Sequence, residues 1–345
     1  MFRGVSISKI VLYVVGGGIT LLLIVFGSRF IKNNQYSSNI PELPESMILS
    51  LPVKEQIAKA LASAHRHPSA SNLGMLGMVY HSSANYEQAA QCYKLAIERD
   101  QSEWIWNYYL GFLYKEMGNS DALIDNFSAV AEKNPTIYHV WYYLGGAYRN
   151  LRKIELAEKS FGKIASIQNT NHAATNTSRY DYFPLGTYAM YQLARLYNET
   201  ERTELAEETL KEIIRNMRSF GPAYRLLGNI YSVKGDSVLS KRYIVRANDL
   251  VVFSPPVDTL IDRLVLLSKS ELYLLKKIDE AERSMYPEWA MQLINIAVKS
   301  IPENKYLVSK AIKTSLMLNL DEKATAYADQ HIRYFQDNFS ELNNM

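Results

Sequence analysis

The sequence predicts an all-α solenoid built from stacked helix pairs, and two sets of recurring residues support this prediction. In the first set, one glycine, one leucine and one tyrosine return every 34 residues: Gly77, Gly111, Gly145, Leu76, Leu110, Leu144, Tyr80, Tyr114 and Tyr148. The second set keeps the same interval: Ala89, Leu123, Ala157, Tyr93, Phe127 and Phe161. A fixed period of this length is typical of architectures whose unit is a pair of antiparallel helices.

The spacing has a physical explanation, because one helix pair alone does not bury its apolar faces. A glycine on the first helix allows the second helix to approach closely, and the tyrosine one turn later lies on the same face. Tyr93, Phe127 and Phe161 are expected to wedge between neighbouring repeats. Pro135 ends the second repeat, where a helix has to stop. We therefore expect the recurring residues to stabilise the fold rather than to bind a ligand.

The chain resembles the tetratricopeptide repeat (TPR) family over residues 70–254, and more weakly over 258–338. The resemblance implies a right-handed TPR superhelix, an α-solenoid of about five clear and two degenerate helix-pair repeats. An uncharged stretch near the N-terminus predicts a single transmembrane helix before it. The clear repeats are placed at 70–103, 104–137, 138–171, from about Thr187 onwards, and at 221–254.

Composition excludes several classes of function. The 345 residues carry a formal net charge of +3 and 21% charged residues, so no nucleic-acid partner is implied. Cys92 is the only cysteine, which excludes an intramolecular disulfide and a multi-cysteine metal site. We expect Cys92 to pack within the second helix of the first repeat.

An apolar stretch follows a short N-terminal tail at residues 1–9. Residues 10–28 hold no charge, and at about 1.5 Å per residue a helix of this length spans roughly the hydrocarbon core of a bilayer. We expect an uncleaved transmembrane anchor at 10–31. A cleaved signal peptide is the alternative, since Val25 and Gly27 resemble the small residues that precede a cleavage site.

The flanking charges do not decide the orientation of this stretch. Arg3 and Lys9 precede it, and Arg29 and Lys32 follow it, so the positive-inside rule gives nearly a tie. Bacterial N-terminal anchors commonly leave the large domain outside the cytoplasm. We therefore expect a single-pass membrane protein whose repeats lie on the periplasmic side of a bacterial inner membrane.

Two segments connect the anchor to the repeats. Residues 32–52 are interpreted as a spacer, because asparagine, serine and three prolines disfavour helix. We expect this spacer to hold the repeats away from the membrane. Residues 53–69 are interpreted as an amphipathic capping helix with its apolar residues on one face: Ile57, Ala60, Leu61 and Ala64.

The period breaks once, between the third and fourth repeats. The step from Gly145 to the corresponding Ala194 is 49 residues, 15 more than one period. An insertion of this size is expected to form a loop, which we place at 167–186. Its aromatic residues Tyr180, Tyr182 and Phe183 either contact a partner or fold back on the helices.

The pattern weakens over residues 255–345, as expected of a degenerate capping region. The leucine spacing predicts one helix from Asp258 to Glu282. The segment around Ala290 to Ala297 fits the second half of a sixth repeat, and 305–338 fits a degenerate seventh.

In the family that the chain resembles, the first helices of the repeats line a concave groove that holds an extended peptide or a partner helix. Aromatic and cationic side chains dominate the corresponding positions here. We predict a protein-binding groove for an acidic or partly aromatic segment. The predicted site consists of Tyr108, Phe112, Lys115, Tyr142, Arg149, Tyr188, Tyr191, Arg195, Arg225 and Asn229. The alternative is that these groups pair with nearby glutamates or belong to the core.

The sequence contains no catalytic motif of a known kind: no glycine-rich phosphate loop, no HExxH pair and no GxSxG elbow. We expect no catalytic residue, no cofactor, no metal site and no small-molecule substrate. Paired carboxylates such as Glu207 and Glu208 are interpreted as a solvated helix surface.

These observations predict a non-enzymatic, membrane-tethered scaffold that mediates protein–protein interaction and assembly of a cell-envelope complex. The alternative is an accessory factor for the maturation of another envelope protein, of the cytochrome c assembly type, which rests on analogy with anchored family members. Some family members clamp a chaperone's C-terminal carboxylate with lysine and asparagine. Gly74 and Met78 occupy those positions here, which disfavours that subclass.

Overall fold

The computed structural model describes residues 35–44, 47–165, 183–250, 256–284, 286–302 and 304–342, with side chains up to Arg333. These residues form an all-α solenoid. Its helices are α1 (Leu51–Arg66), α2 (Ala70–His81), α3 (Tyr86–Arg99), α4 (Ile105–Glu116), α5 (Ser120–Lys133), α6 (Tyr138–Asn150), α7 (Ile154–Ala165), α8 (Leu185–Glu199), α9 (Thr203–Asn216), α10 (Gly221–Val233), α11 (Ser237–Asn248), α12 (Thr259–Leu267), α13 (Glu271–Arg283), α14 (Pro287–Ser300), α15 (Lys305–Met317) and α16 (Asp321–Leu342).

Helices α2 to α11 form five antiparallel pairs. A glycine sets the close approach in four of them, and Ala194 takes the corresponding position in the pair α8 with α9. A Cβ on Gly77 would lie 2.7 Å from the ring of Tyr93, and one on Gly145 would lie 2.6 Å from the ring of Phe161. Both rings are buried. Only a glycine leaves room for an aromatic ring at this distance, so the recurring glycines and aromatics form one packing device.

The turn inside each pair repeats the same backbone conformation. One residue per turn has a positive φ between 55° and 80°, in the left-handed region that normally ends a helix. In the five repeats these residues are Ala84, Gly118, Arg152, Glu201 and Gly235. Asn319 holds the same conformation between α15 and α16, so the last helix pair retains the turn of a repeat although its sequence has diverged.

The segment before α1 belongs to the folded unit, whereas the sequence predicted a spacer there. Ile40 is buried, and the Tyr80 hydroxyl donates a hydrogen bond of 2.9 Å to the Pro41 carbonyl. The guanidinium of Arg99 lies 4.9 Å from the centre of the Tyr36 ring. Residues 36–43 are therefore fixed against the first repeat by apolar burial and by a backbone acceptor that sequence patterns do not reveal.

The predicted helix from Asp258 to Glu282 is wrong, because the chain breaks after Leu267. The Ser268 side chain donates a hydrogen bond to the Ser82 carbonyl at 2.6 Å. The Ser270 side chain accepts one from the backbone N–H of Tyr273 and so caps the start of α13. A serine that caps a new helix ends the old one. The break leaves α12 as a short helix that lies against the first helix of the first repeat.

The remaining helices form two further hairpins, α13 with α14 and α15 with α16. Their apolar side chains share one contiguous core with α1 to α6. A second core joins α7 to α8, and a third joins α8, α9 and α10. The chain therefore folds back on itself, so that its C-terminal third packs against the concave side of its N-terminal repeats.

Two predictions from the sequence concern residues outside the described part of the chain. The anchor expected at 10–31 lies there entirely, and most of the insertion expected at 167–186 does so too. Among the described residues, no helix combines the length and the apolar composition needed to cross a bilayer. Of the insertion's aromatic residues, Phe183 is described: it is buried, with its ring centre 4.8 Å from that of Phe220.

Candidate functional site

The concave face is lined by the first helices of the repeats, and over the first three repeats it is occupied by residues 256–268 of the chain itself. This segment, which we call the return segment, contains α12 and the residues on either side of it. Its apolar side chains are buried against the repeats: Val257, Ile261, Leu264 and Val265. The segment lies where the sequence predicted a partner protein.

Asp258 is the principal polar contact between the return segment and the groove. Its Oδ2 accepts hydrogen bonds from the hydroxyls of Tyr108 at 2.5 Å and Tyr143 at 2.7 Å. Its Oδ1 accepts from the backbone N–H groups of Leu260 and Ile261, which caps the start of α12. Burial raises the pKa of both tyrosines well above the usual value, so their hydroxyls stay protonated and donate.

Side chains of the repeats bind the backbone of the return segment at two further points. Tyr109 donates to the Leu260 carbonyl at 3.1 Å, and His139 Nε2 donates to the Val257 carbonyl at 2.7 Å. At the other end, Gln56 of α1 donates to the Leu267 carbonyl at 2.7 Å. Buried carbonyl groups need such donors, so these contacts fix the path of the segment across α6, α4 and α1.

A buried ionic network joins the first two repeats to α13. His81 is fully buried, and its Nε2 donates to Glu116 Oε2 at 3.1 Å. The other oxygen of Glu116 accepts from Lys277 Nζ at 2.9 Å. Burial acts to raise the pKa of Glu116, but the hydrogen bond from His81 and the charge of Lys277 outweigh it and hold that pKa low. Burial also lowers the pKa of His81, which stays neutral.

A cavity of about 500 Å³ lies between the groove and helices α12 to α14. Three predicted site residues line it: Phe112, Lys115 and Tyr142. The Lys115 ammonium lies 4.8 Å from the ring centre of Phe112 and forms no ion pair with a carboxylate of the described residues. Burial and the charge of Lys277 lower the pKa of Lys115. Four carboxylates of the chain line the same cavity: Glu116, Asp258, Asp262 and Glu280.

Beyond the return segment, no described helix covers the concave face from the middle of α6 across α8 to α10. A Cβ on Gly146 would meet no atom of the described residues within 4 Å, which shows how open this face is. Arg149 donates to both oxygens of Glu199 at 2.7 and 2.8 Å, and Arg195 lies 3.9 Å from the same carboxylate. Two guanidinium groups thus share one carboxylate and present a net positive charge to solvent.

The remaining predicted residues divide between core and surface. Tyr188 is fully buried, with its ring centre 5.7 Å from that of Phe220, and Tyr191 is partly buried against the same ring. Arg225 and Asn229 are exposed on α10, and Arg225 donates to Asn248 at 3.2 Å. The open section therefore consists of the polar residues Arg149, Arg195, Arg225 and Asn229, with Tyr142 and Tyr191 partly buried beside them.

The structure separates the predicted site into two parts. Tyr108 is covered by the return segment, and Phe112 is buried beside it, whereas the arginines of α6, α8 and α10 face the open section. Sequence reasoning missed Tyr143 and Asp258, although Asp258 accepts hydrogen bonds from both Tyr108 and Tyr143. Asp258 follows a Pro-Pro pair and precedes an apolar run, which is the signal of a helix N-cap and gives no indication of its tyrosine partners.

Comparison with known families identifies the repeats. Models described as tetratricopeptide repeat match residues 70–103 and 138–171, and a further model of the same description matches residues 188–216. These ranges coincide with helix pairs α2–α3 and α6–α7 and with most of α8–α9. A sequence comparison with curated proteins finds no match.

Solved structures resemble the chain at low scores. MamA is 20% identical, with 50% of this chain and 93% of MamA covered and a TM-score of 0.43. YrrB, described as a TPR protein with an unusual peptide-binding site, is 16% identical over 56% of this chain and 91% of YrrB, with a TM-score of 0.43. PilF of Pseudomonas aeruginosa is 13% identical over 73% and 95%, with a TM-score of 0.41. Scores below 0.5 carry no inference about function.

Proposed function

Because the chain is a tetratricopeptide repeat protein, we propose that it is a non-enzymatic scaffold whose open concave section binds an extended acidic segment of another protein. The observation that carries the proposal is the row of guanidinium groups on α6, α8 and α10, which begins beyond the return segment. Arginine beside aromatic rings is the combination that most often dominates the energy of an interface.

The two sections of the concave face have different roles in this proposal. The section over the first three repeats holds the return segment and serves stability, because its tyrosines already have hydrogen-bond partners. The open section over α8 and α10 is left for the partner. The cavity that Tyr142 and Lys115 line adjoins this section.

Binding to the open section is tested with a labelled, extended peptide of glutamate, tyrosine and proline. Fluorescence anisotropy with the full chain is expected to show binding that Arg195→Ala together with Arg225→Ala weakens by about tenfold or more, since a lost charge-assisted contact costs about 1.5–3 kcal/mol. Glu199→Gln is expected to strengthen binding, because it removes the carboxylate that Arg149 and Arg195 share.

The matched control is Lys94→Ala, which removes an exposed cation from the second helix of the first repeat. It is expected to leave the affinity unchanged. Equal affinities of the wild-type chain, the double arginine variant and the Lys94 variant would overturn the groove proposal, as would preference for a matched peptide in which lysine replaces glutamate.

We further propose that residues 10–31 tether this scaffold to a membrane, where it assembles an envelope complex. The support is the sequence, in which residues 10–28 carry no charge. The full chain is expected to stay in the membrane pellet after alkaline carbonate extraction, and a chain without residues 1–31 is expected to be released. Release of both chains to the same extent would contradict the tether.

A further inference from the structure

Three arginines of the open section converge on one point of the concave face. Arg149 of α6 and Arg195 of α8 both donate to the amide oxygen of Gln192, at 3.5 and 3.4 Å. Gln192 is buried, so it fixes both guanidinium groups. Burial raises the pKa of Tyr191, and the charges of the three arginines act against it, so Arg225 of α10 lies near the other two. The first helices of three consecutive repeats therefore contribute one cation each.

The positive charges outnumber the negative ones at this point. Within the described ranges, Glu199 is the carboxylate that these arginines share: Arg149 donates to both of its oxygens, and Arg195 lies 3.9 Å from one of them. Arg225 donates to a neutral amide of α11. The hydrogen bond from Arg149 lowers the pKa of Glu199, and so does the charge of nearby Arg152. Three arginines and one carboxylate leave a surplus of two positive charges, to which Arg152 adds.

A tyrosine hydroxyl adds a neutral donor beside the arginines. The Tyr142 hydroxyl accepts from Gln192 Nε2 at 3.2 Å, which leaves its own proton to donate. Burial raises the pKa of Tyr142, so the hydroxyl stays protonated. Three guanidinium groups and one hydroxyl suit a ligand group that offers several acceptor oxygens.

We propose that this arginine cluster binds a phosphorylated serine or threonine of the partner segment. The inference rests on the proposed function, because it names the chemical group that the open section recognises. A phosphate monoester carries about −1.5 to −2 charges at pH 7 and three acceptor oxygens, which matches the surplus of positive charge. A carboxylate supplies one negative charge and two oxygens, so it would leave part of that surplus uncompensated. Guanidinium groups bind phosphate through paired hydrogen bonds, and arginine clusters serve to recognise phosphorylated segments.

The test uses the full chain and three labelled peptides of one extended, otherwise uncharged sequence. They differ at a single central position, which is serine, glutamate or phosphoserine. Anisotropy is expected to show that the phosphoserine peptide binds at least about tenfold more tightly than the glutamate peptide, which in turn binds more tightly than the serine peptide. Arg195→Gln is expected to remove most of the preference for phosphoserine over glutamate. The control Lys94→Ala, at an exposed position of α3, is expected to keep it.

The outcomes separate this inference from the proposed function. Equal affinities of the phosphoserine and glutamate peptides would overturn the inference and leave the acidic-segment proposal standing. Equal affinities of all three peptides would contradict the proposed function as well. An unchanged preference in Arg195→Gln would show that the arginines do not read the phosphate, and thermal unfolding checks that this variant keeps the stability of the wild type.

A competition experiment identifies the source of the phosphate. Free phosphoserine at the concentration of the unlabelled peptide is expected not to displace the labelled phosphopeptide, because it lacks the flanking residues that lie along the concave face. Displacement equal to that by the unlabelled peptide would overturn the inference, since the site would then take a small phosphate compound rather than a segment of a protein.

Discussion

At the scale of single residues, the repeats depend on glycines that are chemically equivalent but structurally different. Gly145 and Gly146 are neighbours on α6. A Cβ on Gly145 would meet the buried ring of Phe161 at 2.6 Å, whereas one on Gly146 would meet no described atom within 4 Å. The first glycine is required by packing, and the second lies on the open concave face.

The adjacent glycines give a matched pair of substitutions. Gly145→Ala is expected to lower the free energy of unfolding by about 1–3 kcal/mol, because the ring of Phe161 has no space into which to move. Gly146→Ala is expected to raise it by about 0.5–1 kcal/mol through helix propensity alone. Urea denaturation of both variants checks the prediction. Equal effects of the two substitutions would show that the glycine-aromatic contact does not set the packing.

His81 predicts how stability depends on pH. Its pKa is lowered by burial, so in the unfolded chain it binds a proton at a higher pH than in the folded chain. Stability is therefore lost as the pH falls below about 6.5, the ordinary value of histidine. Around His81 lie Glu116 and Tyr93, which it contacts, and Lys276 and Lys277 of α13. The pKa of Glu116 is also depressed, so protonation of its carboxylate in stronger acid lowers the stability further.

The substitution His81→Gln removes this titration and keeps a donor for Glu116. The unfolding free energy of the variant is expected to vary less than that of the wild type between about pH 7.5 and about pH 5. The control is His67→Gln, since His67 is exposed. If His67→Gln flattened the profile as much as His81→Gln, the buried network would not be the origin of the pH dependence.

At the scale of elements, the conserved geometry is the turn within each helix pair rather than its sequence. Ala84 and Gly118 occupy equivalent positions in the first and second repeats, with φ of 61° and 74°. Only glycine adopts this conformation without strain. The two turns therefore differ in stored strain although their backbones agree.

Replacing the alanine of one turn by glycine and the glycine of the other by alanine is expected to change the free energy of unfolding in opposite directions. Ala84→Gly is expected to stabilise the chain by about 0.5–1 kcal/mol, and Gly118→Ala to destabilise it by about 1 kcal/mol. A Cβ on Gly118 would meet no described atom, so the effect there comes from the backbone alone. Thermal unfolding measures both. Effects of the same sign would contradict a left-handed turn at one of the two positions.

The elements that the sequence predicts are those whose main contacts join residues of the same repeat. The contact of Gly145 with Phe161 recurs with the period because it joins two helices of one repeat. The return segment was not predicted, because its contacts join residues more than 100 positions apart and follow no period. The aromatic groove positions were visible in the sequence, but nothing there shows that Tyr108 binds Asp258 of the same chain.

At the scale of the whole molecule, the fold-back divides the solenoid into a closed and an open half. Helices α1 to α6 and the C-terminal helices share one core, and the return segment fills the groove between them. Helices α8 to α10 have a core of their own, and the concave face there carries the guanidinium groups of Arg195 and Arg225. Stability is thus concentrated in one half, and the surface proposed for the partner lies in the other.

The filled groove is tested most directly by a double-mutant cycle between Tyr143 and Asp258. Asp258→Ser keeps an oxygen that caps α12 but is too short to reach the hydroxyl of Tyr143. With Tyr143→Phe, the cycle is expected to give a coupling energy of about 1–3 kcal/mol in urea denaturation. The control cycle of Asp258→Ser with Tyr148→Phe is expected to be additive. Additivity in the Tyr143 cycle as well would contradict the presence of residues 256–268 in the groove.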